Sequence, residues 1–187
     1  MGLVEVTPPA VEPITFDDAK GWLKIDADDE LNDINSVWIP KARKDVEIET
    51  QRAFVNTIFD LTLDEFPCSG EIRPPRSPLV SVTSISYIDV NGNSQTWNSS
   101  NYTVDVSREP GRIVPVFNVV WPSVRAVINA VTVRFTAGYG TTAAAVPAEA
   151  KAAILSVLAH DYRHRDNDEP WPMELKALLF RMGVHTP

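Results

Sequence analysis

The spacing of apolar residues along the chain changes twice, from a helical period to a strand period and back. Phe16, Ala19, Trp22 and Leu23 recur at helical steps, and Thr15 followed by Asp18 forms a capping arrangement, which predicts a short helix over about 15–24 that Gly21 weakens. A longer helix is expected from about Asp28 to Arg52, with Leu31, Ile34, Trp38, Ala42 and Val46 on one stripe. Pro40 interrupts it, removing a backbone donor and kinking the helix near residues 36–40. Beyond Arg52 the period falls to two: Val55, Thr57, Phe59, Leu61 and Leu63 alternate with other positions. Strands follow at Val80–Val90, Ser94–Trp97, Tyr102–Val106, Arg112–Phe117 and Val127–Thr136, with Asn91-Gly92 read as a type I′ hairpin pair and Pro110-Gly111 as a second turn. The helical period returns after Pro147 through Ala150, Ile154, Leu155, Val157, Leu158 and Tyr162, breaks over Asp166–Pro172, and ends in a short helix before Gly183.

The order αα, five or six antiparallel strands, αα predicts an α+β fold: a helical body carrying an antiparallel β insertion. One domain over 1–187 is expected, with N-terminal helices in 1–53, the β-rich insertion in 54–140 and C-terminal helices in 146–187. Apolar residues at 44% and charged residues at 22% lie near globular averages and exclude disordered, collagenous and coiled-coil classes. Prolines number 15 against 8 glycines, and Pro8, Pro9 and Pro13 predict an extended N-terminal arm. No apolar run approaches the roughly 20 residues of a membrane span, and Met1–Pro13 has no basic residue or apolar core typical of a secretory signal, so a cytosolic setting is expected. There the sequons at Asn98 and Asn101 are turn residues, and the lone Cys68 is an inert side chain.

Charge narrows the function. The formal net charge is −8, which argues against holding DNA through counterion release. The excess is local: residues 1–50 hold 12 acids and 5 bases, 51–146 hold 7 and 7, and 147–187 hold 6 and 5. The patch is Asp26, Asp28, Asp29, Glu30 and Asp33. It fails as a calcium loop, because Leu31 stands where glycine is needed and Val37 where the bidentate glutamate belongs. The plain reading is acids that complement a helix N-terminus.

Catalytic patterns are absent. His160 and His164 stand four apart on one helical face with Asp161 and Asp166 near, but the stretch lacks the HExxH glutamate, so a metal-dependent hydrolase is the less favoured alternative. Gly138-Tyr139-Gly140 is too short to cradle a phosphate, and there is no nucleophile elbow, Walker loop or dinucleotide fingerprint. No catalytic residue, metal or cofactor is expected. Trp22, Trp38, Trp97 and Trp121 are read as core or partly buried. Trp171 lies between two prolines beside the final helix, whose apolar set is Met173, Leu175, Leu178, Leu179, Phe180 and Met182, with Arg181 among them. That helix has two placements open to it, on its own core or in a groove on a partner.

The ordered combination of Phe16–Leu23 with its acidic follow-on, Glu47–Arg52, Ser77–Asp89 (SPLVSVTSISYID), Trp121-Pro122, Val131–Gly140 (VTVRFTAGYG) and Val146–Arg165 (VPAEAKAAILSVLAHDYRHR) resembles the head-tail connector, or adaptor, proteins of long-tailed double-stranded DNA bacteriophages, in the longer form with a β-rich middle. Pro40 and the Leu-Leu-Phe-Arg-Met ending depart from the pattern. The resemblance implies a non-enzymatic virion protein at the head-tail junction, assembled in the bacterial host cytoplasm. It implies a ring, twelve subunits in the virion, that often forms only on the portal, stacked between portal and stopper or tail-completion protein, with DNA passing through unbound. On that basis residues 171–182 are expected to grip the portal and the acidic patch to face the channel, where repulsion keeps DNA from adhering. Another neck or tail-completion protein is the alternative.

Overall fold

The computed structural model describes residues 1–25, 31–167 and 169–184. The fold is α+β, and its contacts divide the described chain into a sheet unit, Met1–Pro8 with Asn56–Gly138, and a helical unit, Pro9–Val55 with residues 139–184. No helix among the described residues is long and apolar enough to cross a membrane.

In the sheet unit the strands are β1 (Gly2–Thr7), β2 (Thr57–Leu63), β3 (Leu79–Ile88), β4 (Ser94–Trp97), β5 (Tyr102–Asp105), β6 (Arg112–Pro115) and β7 (Val131–Ala137). Five form an antiparallel sheet in the order β1-β2-β7-β3-β4, and β5 pairs with β6. The central pair follows directly from alternation. Thr57, Phe59 and Leu61 on β2 and Val131, Val133, Phe135 and Ala137 on β7 are buried, with Phe59 opposite Phe135 and their ring centroids 5.5 Å apart. On the other face Arg134 makes a two-pronged pair with Asp60 at 2.8 and 2.7 Å.

Three expectations are corrected here. The N-terminal stretch is more than an extended arm, because its first residues pair with β2 as an edge strand, with a bulge at Val6, before Pro8 ends the ladder. The β3–β4 turn is not type I′: Gly92 has φ +92° but Asn91 does not have positive φ. Gly92 N–H donates to the Asp89 carbonyl at 2.9 Å and Asp89 N–H to the Asn93 carbonyl at 2.9 Å, which is a type I turn closed by a left-handed glycine. Asp89 Oδ1 accepts from the backbone of both Asn91 and Asn93 and fixes that longer loop. Finally, β7 begins at Val131 rather than near Val127, because Asn129 adopts φ +56° and its N–H is taken by Asp64 Oδ1 at 2.8 Å.

In the helical unit α1 (Phe16–Leu23) starts at a capping box: Thr15 Oγ1 accepts from Asp18 N–H while Asp18 Oδ2 accepts from Thr15 N–H. The long helix consists of α2 (Leu31–Asp33), a π turn (Ile34–Trp38) and α3 (Ile39–Thr50). The kink expected at Pro40 is this π turn, in which Ile39 N–H reaches the Ile34 carbonyl. On a regular helix Ile34 and Ile39 would point about 140° apart. The wider turn lets both be buried, and Ala42 and Val46 continue the buried face. Two further helices complete the unit, α4 (Ala148–Arg163) and α5 (Met173–Met182). The core joins Ile34, Ile39, Val46, Phe54, Ile154, Leu158 and Leu179.

Candidate functional site

The C-terminal segment is built on the last turn of α4. Asp161 there accepts from Trp171 Nε1 at 2.9 Å and pairs with Lys41, which also reaches Asp45 at 2.9 Å. Burial alone would raise the Asp161 carboxyl, but hydrogen bonds from Lys41 and Trp171 outweigh it and hold the group below its ordinary value. Trp171 is thereby fixed at the head of α5. At the other end of α5, Arg52 Nε donates to the Met182 carbonyl at 2.7 Å and its Nη1 to Tyr139 Oη at 2.8 Å, while Val184 N–H donates to the Thr50 carbonyl.

Between these anchors the helix is divided by its own periodicity. Leu175 and Leu179 are buried, and Trp171, Leu178 and Met182 pack against the same core. Met173 and Phe180 are 76% and 68% exposed, and Arg181 is also exposed. The residues named as one partner-gripping set therefore lie in two groups, one facing the molecule's own core and one facing outward. Of the acidic patch, Asp26, Asp28, Asp29 and Glu30 lie outside the described residues, and Asp33 is exposed at the end of α2.

The two histidines stack with ring centroids 4.3 Å apart. His160 Nδ1 faces Asp161 Oδ1 at 3.5 Å, His164 Nδ1 lies 2.8 Å from the His160 carbonyl, and His164 Nε2 lies 3.2 Å from Glu169 Oε2. Three of the four ring nitrogens are thus directed at neighbouring carboxylates and backbone. Among the described residues no three potential metal ligands converge. A cleft of about 300 Å³ beside them is lined by Trp38, Lys41, Asp161 and Glu169 and is polar in character.

A second surface escaped the sequence reading. The connection from β6 to β7 was expected to contain strand on both sides, yet it forms a loop exposing Phe117, Val120 and Ile128 at 92%, 83% and 82%. Trp121 holds its middle, stacked on Phe66 at 4.7 Å and 8° and touching Trp97 at 4.6 Å. The available signal was an apolar run ending in Trp121-Pro122 with Asn118 and Asn129, two residues that tolerate left-handed φ, at its ends.

No family model matches the chain, and no curated protein does. Solved structures do share the fold over its full length. A chain in the "Neck of empty GTA particle computed with C6 symmetry" aligns with a TM-score of 0.80 at 21% identity, covering 100% of this chain and 97% of that one. A chain in the "Virion of native gene transfer agent (GTA) particle" aligns at 0.80 and 20% with the same coverage. One in the "Neck of native GTA particle computed with C12 symmetry" aligns at 0.74 and 22%, again over 100% and 97%.

Proposed function

We propose that this chain is a structural subunit of a phage-type neck, and specifically a head-tail connector that forms a ring between portal and stopper or tail-completion protein. The observation that carries the reading is the match of the entire chain, both units included, to chains found in neck particles of gene transfer agents. The resemblance of its ordered segments to phage adaptor proteins points the same way independently of the coordinates. A ring of twelve subunits accords with the C12 symmetry used for one of those necks. Such a role requires interfaces rather than chemistry, so its working parts are surfaces.

In this reading α5 is a two-faced element. Leu175 and Leu179 hold it to the helical unit while Met173, Phe180 and Arg181 meet the portal. Asp26, Asp28, Asp29, Glu30 and Asp33 face the channel and repel passing DNA. The subunit is made in the host cytoplasm and ends in the virion.

The test is negative-stain imaging of the protein mixed with the portal of its own particle. An added ring supports the reading, and a portal without an added ring overturns it. A ring that forms only on tail components would identify a tail-completion protein instead. In a ring structure, carboxylates of the acidic patch far from the central axis would overturn the channel assignment.

A further inference from the structure

The β6–β7 connection is an apolar surface that is held rigidly rather than left loose. Val116 N–H donates to the Asn101 carbonyl, Val119 N–H to Val116, Arg125 N–H to Ile88 and Asn129 N–H to Asp64, so the loop is tied to the sheet unit along its length. The Trp121 stack on Phe66 clamps its centre. These bonds leave Phe117, Val120 and Ile128 directed at water. Large apolar side chains exposed on one ordered loop mark a contact surface.

The helical unit carries an apolar recess. A groove of about 610 Å³ is lined by Trp22, Ala159, Pro172, Leu175 and Leu178. The polar groups at the two surfaces also correspond. Asp64 and Glu65 lie beside residues 124–128 of the loop, which itself contains Arg125, while His160, Arg163, His164 and Glu174 line the groove. Arg125, Glu65, Arg163 and Glu174 form no ion pair among the described residues. Acids therefore outnumber bases beside the loop, whereas the groove sets one arginine and two histidines against a single acid.

We propose that the loop 117–128 of one copy of this chain seats in the Trp22–Leu178 groove of a second copy, with Arg125 meeting Glu174 and Glu65 meeting Arg163. The inference rests on the neck reading above and supplies its subunit contact. A ring made of one kind of chain needs two different surfaces that fit each other, because a self-complementary patch would stop at a dimer. An exposed apolar loop and an apolar groove on the same chain offer two such surfaces. Charge favours the same occupant. Copies each carrying −8 repel one another, so their contact belongs where opposite charges meet, and here Asp64 and Glu65 beside the loop face a groove that holds Arg163 and two histidines.

The experiment uses the full chain with Cys68→Ser, carrying either Val120→Cys or Glu174→Cys, both at exposed positions. The two variants are oxidised separately and as a mixture, on the portal and free, with Ser94→Cys as the control position. A disulfide-linked dimer from the mixture alone is the expected result. Dimers from either variant by itself, or none beyond the control, overturn the proposal. In parallel, Phe117→Asp is expected to retain its fold by circular dichroism and to lose the ring. If Phe117→Asp still forms rings on the portal, this contact is wrong while the neck reading stands. If the unmodified chain forms no ring there, both fall.

Discussion

The indole nitrogen of Trp171 donates to the carboxylate of Asp161 at 2.9 Å, joining the segment before α5 to the last turn of α4. Because the same carboxylate pairs with Lys41 of α3, one acid ties three parts of the helical unit together. Its carboxyl is held below the ordinary 3.8, so the stabilisation is complete above that pH and is lost as pH falls through the depressed value. Tryptophan fluorescence should therefore show a transition below about pH 3.8 that is absent in Trp171→Phe. Asp161→Ala, which leaves the Trp171 indole N–H without its acceptor and Lys41 with Asp45 alone, is expected to cost about 1–3 kcal/mol in urea denaturation.

The two faces of α5 should separate stability from assembly. Leu179 is 2% exposed, and Leu179→Ala is expected to cost about 2–5 kcal/mol. Met173→Ser and Phe180→Ser, at outward positions, should shift stability by less than about 0.5 kcal/mol while weakening portal binding. Thermal melts and portal co-sedimentation measure the two effects. Removing residues 170–187 would be a poorer experiment, because it strips Leu175 and Leu179 from the core together with the outward face.

A buried ion pair gives a third prediction. Arg43 Nη1 donates to Glu47 Oε2 at 2.8 Å, Arg43 Nε to Glu12 at 2.8 Å, and Phe54 N–H to Glu47 Oε1 at 3.0 Å. Burial pushes the Glu47 carboxyl upward in spite of its partners, so the carboxylate depends on Arg43 to remain charged. Arg43→Met should cost about 3–5 kcal/mol, since it leaves a buried acid without its counter-ion. Arg43→Met combined with Glu47→Leu should cost less than the sum of the single changes. A double-mutant cycle by urea denaturation that returned additive values would show that the pair is not coupled.

Where periodicity was long and one-sided, the sequence could be read. The alternation of Val131, Val133, Phe135 and Ala137 marks a central strand, and Thr15 with Asp18 marks the start of α1. The misreadings have a different cause, namely that particular side-chain and packing contacts, which periodicity does not record, decided the outcome. β1 exists because β2 offers it an edge, and its few residues before Pro8 are too short to signal this alone. Asp89, rather than the Asn91-Gly92 pair, sets the hairpin turn. Pro40 announced an interruption, but only the need to bury both Ile34 and Ile39 explains why it became a π turn. The apolar set of α5 was visible as a set; its division into inward and outward residues depends on Arg52 and Asp161, which fix how the helix docks. The loop bearing Phe117 was obscured because its valines look like strand residues.

Two glycines should respond to the same substitution with opposite signs. Gly138, at the end of β7, has φ +145°, and a Cβ there would lie 2.6 Å from the backbone nitrogen of Asn56 and 2.7 Å from its Cα. Gly138→Ala meets both an unfavourable backbone conformation and a backbone neighbour that cannot rotate away, and should cost about 1–3 kcal/mol. Gly21 lies inside α1, with nothing within 4 Å of the position a Cβ would take. Gly21→Ala removes unfolded-state freedom and improves helix propensity at no steric cost, and should stabilise by about 0.4–1 kcal/mol. Chemical denaturation of the two variants beside the parent chain measures both. A stabilised Gly138→Ala would mean that the close approach of Asn56 does not constrain this position, and the tight turn out of β7 would then need another explanation.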